Sequence, residues 1–203
     1  MFHYEVDPDR FASEIERDLL DRVHYVREAT QLPVAAKLIP EFTCLANFCC
    51  RVAGAGAKSV CLFGQAPVVE PRYGDELESH WRLTNHADLR VTLDAVHRVR
   101  RSNRKLTIAA SGGIQNPDDA LAAIQLGADV LMLTSAIYRQ GSGLIEQICD
   151  SIRNEMSRHR MDTFRELVGL ALRGYDAFPE RTRRQQYANQ VTDLSTDRSL
   201  ECD

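Results

Sequence analysis

Residues 106–136 read LTIAASGGIQNPDDALAAIQLGADVLMLTSA. An apolar run, Leu106 to Ala110, ends in Ser111-Gly112-Gly113. Asn116-Pro117-Asp118-Asp119 then starts a helix, because an Asn cap, a Pro in the first turn and early acidic residues all favour a helix N-terminus. The helix closes at Gly127. A second apolar run, Asp129 to Leu133, ends in Thr134-Ser135-Ala136. The pattern predicts strand, Gly-rich turn, helix, strand and polar turn, a parallel βα unit. Both strands end in small or hydroxylated residues whose backbone amides can face a ligand, and in parallel α/β proteins phosphates sit at such ends.

Working outward, Phe2 to Val6 reads as a short strand. Phe11 to Thr30 reads as a helix, with Phe11, Ile15, Leu19, Val23 and Val26 at helical spacing. Val34 to Leu38 reads as a buried parallel strand carrying one lysine, Lys37. A helix over Thr43 to Ala53 and a strand over Ser59 to Phe63 follow. Gly64 to Ala87 is long, polar and aromatic, with Trp81 and His86, and reads as a lid or binding loop. Leu89 to Arg101 is a helix whose apolar side holds Leu89, Leu93, Val96 and Val99. Arg100, Arg101, Arg104 and Lys105 read as a solvated helix C-terminus favoured by the dipole. Helices over Leu144 to His159 and Phe164 to Gly169 complete the ordered part. This gives residues 1–174 as one domain and 175–203 as a polar, loosely held tail.

Ala53-Gly54-Ala55-Gly56-Ala57-Lys58 echoes Gln125-Leu126-Gly127-Ala128-Asp129: each is a helix end, a Gly-Ala turn and a strand. Successive βα units of a barrel repeat in this way. Four strands are clear, five with Phe2 to Val6, against the eight strands and about 250 residues of a closed barrel. The expected fold is therefore α/β, a partial (half) (β/α)8 TIM barrel with parallel strands and a C-terminal helical or disordered tail.

The formal net charge of -4 gives no support to a nucleic-acid surface. No apolar run approaches the ~20 residues that span a bilayer, and the N-terminus lacks a secretory pattern. The six cysteines, Cys44, Cys49, Cys50, Cys61, Cys149 and Cys202, lack CxxC spacing. They read as reduced thiols of a cytoplasmic protein with no metal site. A small-molecule substrate is the expectation.

From about Tyr4 to Gly169 the chain resembles the C-terminal half of the dihydroorotate dehydrogenase family of FMN-dependent barrels, most of all its bacterial members. The matching segments, in order, are Leu32 to Leu38, Ala53 to Ala57, Ala87 to Arg90, Ala110 to Ile114, Ala128 to Val130 and Thr134 to Ala136. The resemblance implies an FMN oxidoreductase acting on a CH–CH bond in pyrimidine biosynthesis. It implies that Lys37 stands beside the flavin, where a compact cation stabilises the anionic reduced ring. It implies that Gly112 and Gly113 form one phosphate turn and Thr134 and Ser135 the other, their amides and hydroxyls donating to phosphate oxygens. The alternative readings of these residues, weighed lower, are a strand-end lysine reaching solvent for Lys37, a tight strand-to-helix turn for Gly112-Gly113 and a helix cap for Thr134-Ser135.

The chain departs from that family in three ways. The first barrel half is missing, so a homo-oligomer or a second chain completing the barrel is expected. Gly64 and Gln65 stand where relatives carry a substrate asparagine. The loop that bears the family's cysteine or serine base is here Val6 to Phe11, with neither; Asp7 or Asp9 offers a base but reads better as a helix N-cap, and the catalytic residues stay unassigned. Two other readings stand beside the flavoenzyme. One is a non-catalytic half-barrel scaffold. The other is a different phosphate-binding barrel enzyme, with Lys37 as a Schiff-base lysine.

Overall fold

The computed structural model describes residues 7–65, 67–71 and 77–173. The strand expected at Phe2 to Val6 and the tail expected from 175 lie outside the described residues. In chain order the elements are α1 (Ala12–Ala29), β1 (Ala35–Leu38), α2 (Leu45–Gly54), β2 (Ser59–Leu62), β3 (Val68–Pro71), β4 (Leu77–His80), α3 (His86–Ser102), β5 (Thr107–Ser111), α4 (Pro117–Gln125), β6 (Val130–Met132), α5 (Ser135–Gln140), α6 (Gly143–Arg158) and α7 (Phe164–Leu167). Strands β1, β2, β5 and β6 form one parallel sheet in that order. Among the described residues the sheet does not close, and β1 and β6 are its edges. The expectation of a partial parallel barrel therefore holds.

Side chains alternate across this sheet, as the strand period of two requires. Ala36, Val60 and Ile108 share one row, and Leu38, Leu62, Ala110 and Leu131 the next. These point to one face and enter the core with Leu45, Phe48 and Val52 of α2 and Ala95, Val96 and Val99 of α3. The opposite face carries Ala35, Lys37, Cys61, Thr107, Ala109, Val130 and Met132. Val130 and Met132 are 47% and 41% exposed there. A parallel sheet ordinarily has both faces covered; among the described residues this face is covered only in part, with Cys61 buried but Val130 and Met132 open.

The stretch read as a polar lid contains a hairpin. β3 and β4 pair antiparallel, with Val68 opposite His80 and Glu70 opposite Glu78. Among the described residues the two strands pair only with each other, and each is four residues long and mostly exposed. Their formation satisfies backbone groups, so no apolar periodicity announced it. The start of α1 also differs from the expectation. Its N-cap is Phe11, whose amide donates to Glu14 Oε2 at 3.0 Å. Asp7 instead closes a turn by accepting from the Asp9 amide.

Arg100 corrects the reading of a solvated basic cluster. It is 9% exposed. Its guanidinium donates to the Gly127 carbonyl at 2.9 and 2.8 Å, to the Arg104 carbonyl and to the Asp129 carboxylate. Asp129 accepts in turn from the Ile108 amide at 2.8 Å. One side chain thus joins the end of α3 to the starts of β5 and β6. Such a pair resists removal of either partner, because the other is left buried and uncompensated.

Gly113 holds the other end of α3. A Cβ there would lie 2.1 Å from the Leu89 nitrogen and 2.4 Å from its Cα, and Gly113 has φ +81. Gly113→Ala is expected to cost about 3 kcal/mol or more, through both the clash and the left-handed backbone. Gly54→Ala, where nothing lies within 4 Å of the new carbon, is expected to be neutral or to gain up to ~1 kcal/mol in α2. Urea midpoints of the two variants check the contrast, and equal midpoints would refute the contact.

Candidate functional site

A cavity of about 240 Å³ opens at the C-terminal ends of the strands. Lys37 reaches it from the end of β1. Ser111, Gly112 and Gly113 reach it from the end of β5, and Met132, Leu133, Thr134 and Ser135 from the end of β6. The structure therefore brings Lys37, Gly112, Gly113, Thr134 and Ser135 to one place. Trp81, Arg82 and Thr84, from the segment between β4 and α3, form another wall. None of the described lining residues is a carboxylate, and two are cations, Lys37 and Arg82. That donor set suits an anion.

The two glycines differ in what fills the space beside them. Gly113 is packed against the start of α3. At Gly112, with φ +112, a Cβ would meet only Thr92 Oγ1, at 3.4 Å. Thr92 is buried and donates to the Gly112 carbonyl at 3.0 Å, which fixes the orientation of that peptide. Gly113 is thus a packing glycine, and Gly112 is the one whose missing side chain leaves room on the cavity side.

Thr134 is the residue before α5 and makes no side-chain cap. Ser135 is buried, and its hydroxyl is already engaged. It accepts from the Thr84 amide at 2.9 Å and lies 2.9 Å from Thr84 Oγ1. Arg139, one turn further along α5, donates to the Thr84 carbonyl at 2.6 Å, to Gln115 Oε1 at 3.0 Å and to the Leu83 carbonyl at 3.3 Å. Gln140 donates to the Gln115 carbonyl at 2.7 Å. These bonds fasten three cavity-lining loops, those before α3, before α4 and before α5. The sequence gives no sign of this fastening, since its partners are about 25 to 55 positions apart.

Cys61 neighbours Lys37 in the β1–β2 register, and its Sγ lies 3.2 Å from Met132 Sδ. Burial pushes the Cys61 thiol up, against the opposing pull of Lys37 and Ser111. Cys49 is buried in the core, which pushes its thiol up to about 12. Among the described residues no three His, Cys, Asp or Glu side chains are grouped to hold a metal ion. His86 begins α3 with its Nδ1 3.4 Å from Asp119 Oδ2, outside the cavity wall. Neither Asp7 nor Asp9 lines the cavity. Among the described residues no helix is long and apolar enough to cross a membrane.

The fold and this cavity define a partial (β/α)8 barrel with an anion-suited pocket at its strand C-termini. The sequence model of the dihydrouridine synthase family matches residues 15–200, and the chain belongs to that family. Curated relatives include dihydroorotate dehydrogenase B (NAD(+)) catalytic subunits. That of Thermoplasma volcanium is 25% identical over 162 residues, which cover 75% of this chain and 51% of the relative. That of Desulforamulus reducens is 30% identical over 150 residues, 72% of this chain and 49% of the relative. The NAD-dependent dihydropyrimidine dehydrogenase subunit PreA of Escherichia coli is 31% identical over 68 residues, 34% of this chain and 16% of the relative. The expected likeness to dihydroorotate dehydrogenases is thus found. The chain spans about half the length of the dihydroorotate dehydrogenase B subunits it matches.

Because Trp81 is the protein's one tryptophan and lines the cavity, it reports on the fastened loops. Arg139→Ala is expected to raise acrylamide quenching of Trp81 with far-UV circular dichroism unchanged. The stability loss should stay near ~1 kcal/mol per lost hydrogen bond. Unchanged quenching would show that Arg139 does not hold the loop.

Proposed function

We propose that this chain is the cofactor-binding half of an FMN-dependent oxidoreductase whose substrate is a small molecule with a 5,6-dihydropyrimidine ring or its unsaturated form. The observation that carries the reading is the meeting of Lys37, Gly112, Gly113, Thr134 and Ser135 in one cavity free of carboxylates among its described lining. The names dihydroorotate, dihydropyrimidine and dihydrouridine share one chemistry: two hydrogens lost from, or added to, the ring C5–C6 bond. A flavin, when bound, supplies the centre that accepts or returns the hydride, while the second hydrogen moves as a proton. The use of flavin by these relatives supports the cofactor.

The protein's own residues fit such a group. Gly112 leaves room for a phosphate to approach backbone. The amides at Thr134 and Ser135 and the Thr134 hydroxyl supply donors at a neighbouring strand end. The Ser135 hydroxyl, held by Thr84, positions the loop. Lys37 is a point charge on the open face of the sheet, suited to an anionic ring edge. The cavity is smaller than the roughly 300 Å³ at which complete ligand pockets begin. This fits a site with a further wall beyond the described residues. The base that moves the proton is assigned to no residue of this chain.

The open sheet face favours a further reading, in which the half barrel functions with a partner that covers it. Edge strands with unpaired backbone groups are templates for association, and four more parallel strands complete eight. A second copy or a chain carrying the other half meets this need. Within pyrimidine metabolism, the dihydroorotate-to-orotate step is the specific reaction we favour for the assembled enzyme.

Titration of the purified chain with FMN, read by calorimetry and by quenching of Trp81, tests the cofactor. Saturable binding is expected, weakened roughly tenfold in Lys37→Met by loss of a charge-assisted contact. A Schiff-base enzyme would instead be trapped on Lys37 by borohydride with a carbonyl substrate. Sedimentation tests the partner: mass above the 22.9 kDa of one chain is expected. Absence of FMN binding by the associated form would sink the flavin reading.

A further inference from the structure

Resting on the flavin reading, a further inference concerns Arg82, which no resemblance singled out. Its side chain is 44% exposed and donates to Asp88 Oδ1 at 2.8 Å. It lines the anion-suited cavity and also a neighbouring cavity of about 230 Å³. The neighbour is lined by Glu41, Asp88, Val68 and Val91 as well. The two spaces share Phe63, Gln65, Arg82, Thr84, Ser111 and Gly112. Arg82 stands at their partition, with both carboxylates on one side and Lys37 on the other.

Asp88 is fixed independently of Arg82. Its other oxygen, Oδ2, accepts from the Asn85 amide at 2.7 Å as part of the cap of α3. Its backbone carbon would lie 2.8 Å from a Cβ on Gly113, so it abuts the glycine turn. The guanidinium is therefore held by a residue whose backbone abuts the Gly112-Gly113 turn, a partner that keeps its place when the guanidinium leaves. An exposed pair of this kind contributes little stability, whereas an arginine fork on a phosphate makes two charge-assisted bonds.

We propose that Arg82 is the side chain that reads the phosphate of the ligand. It exchanges its bond to Asp88 for the anion and so sets the preference for a phosphorylated flavin over an unphosphorylated one. Lys37, on β1, serves the other end of the same cavity. No proton or electron moves in this exchange; one ion pair replaces another.

Calorimetric titration of the full chain with FMN and with riboflavin tests this. Arg82→Met is expected to weaken FMN binding by roughly tenfold to a hundredfold and to leave riboflavin binding unchanged, erasing the discrimination. Arg82→Lys should recover part of it. Asp88→Asn keeps an acceptor for the Asn85 amide but releases the guanidinium, and should tighten FMN severalfold. Equal weakening of both flavins in Arg82→Met would show a structural role and overturn the proposal. Unaltered FMN affinity would show that Arg82 never leaves Asp88 and would also overturn it. If the wild-type chain binds neither flavin, the flavin reading falls first and this inference with it.

Discussion

Leu89 and Gly113 approach so closely that no side chain fits between their backbones. This contact sets where α3 begins relative to the end of β5. The residues just before α3 inherit their position from it: Asn85 caps the helix, Thr84 meets Ser135, and Trp81 and Arg82 turn toward the strand ends. At the far end of α3, Arg100 carries out the complementary task through Gly127 and Asp129. The helix is held at both ends by contacts that tolerate few substitutions, and the cavity lies beside one of them.

Much of this could be read from residue order. The Asn-Pro-Asp-Asp start of α4, the Gly-Ala turns before β2 and β6, and the apolar stripe of α3 each follow a local rule, so the parallel order of strands and the partial barrel were legible. The hairpin at Val68–His80 was not, because short exposed strands that pair only with each other leave no apolar period. Arg100 was misread although a sign was present. Residues 89, 93, 96 and 100 lie on one helical stripe, which places Arg100 on the buried side in spite of its charge. At the candidate site, the glycines, Lys37 and the Thr-Ser pair stood at strand ends, so their meeting at one cavity was legible from position. The Arg139 and Thr84 fastenings depend on tertiary contacts between distant loops and left no trace in sequence spacing.

The open face has a physical counterpart in its residues. Ala35, Thr107 and Ala109 are small, Lys37 is charged, and Val130 and Met132 are apolar and partly exposed. Such a face neither buries itself nor is polar enough to stay open without cost. The dihydroorotate dehydrogenase B relatives are matched over about half their length, and among the described residues the sheet leaves β1 and β6 as edges.

Among the described residues the β3–β4 hairpin makes no ladder with the parallel sheet, although it lies between β2 and α3 in the chain. It stands outside the register of the four parallel strands, so a change of its length or composition leaves that register intact. Selection for a different ligand would therefore have a place to act without repacking the core.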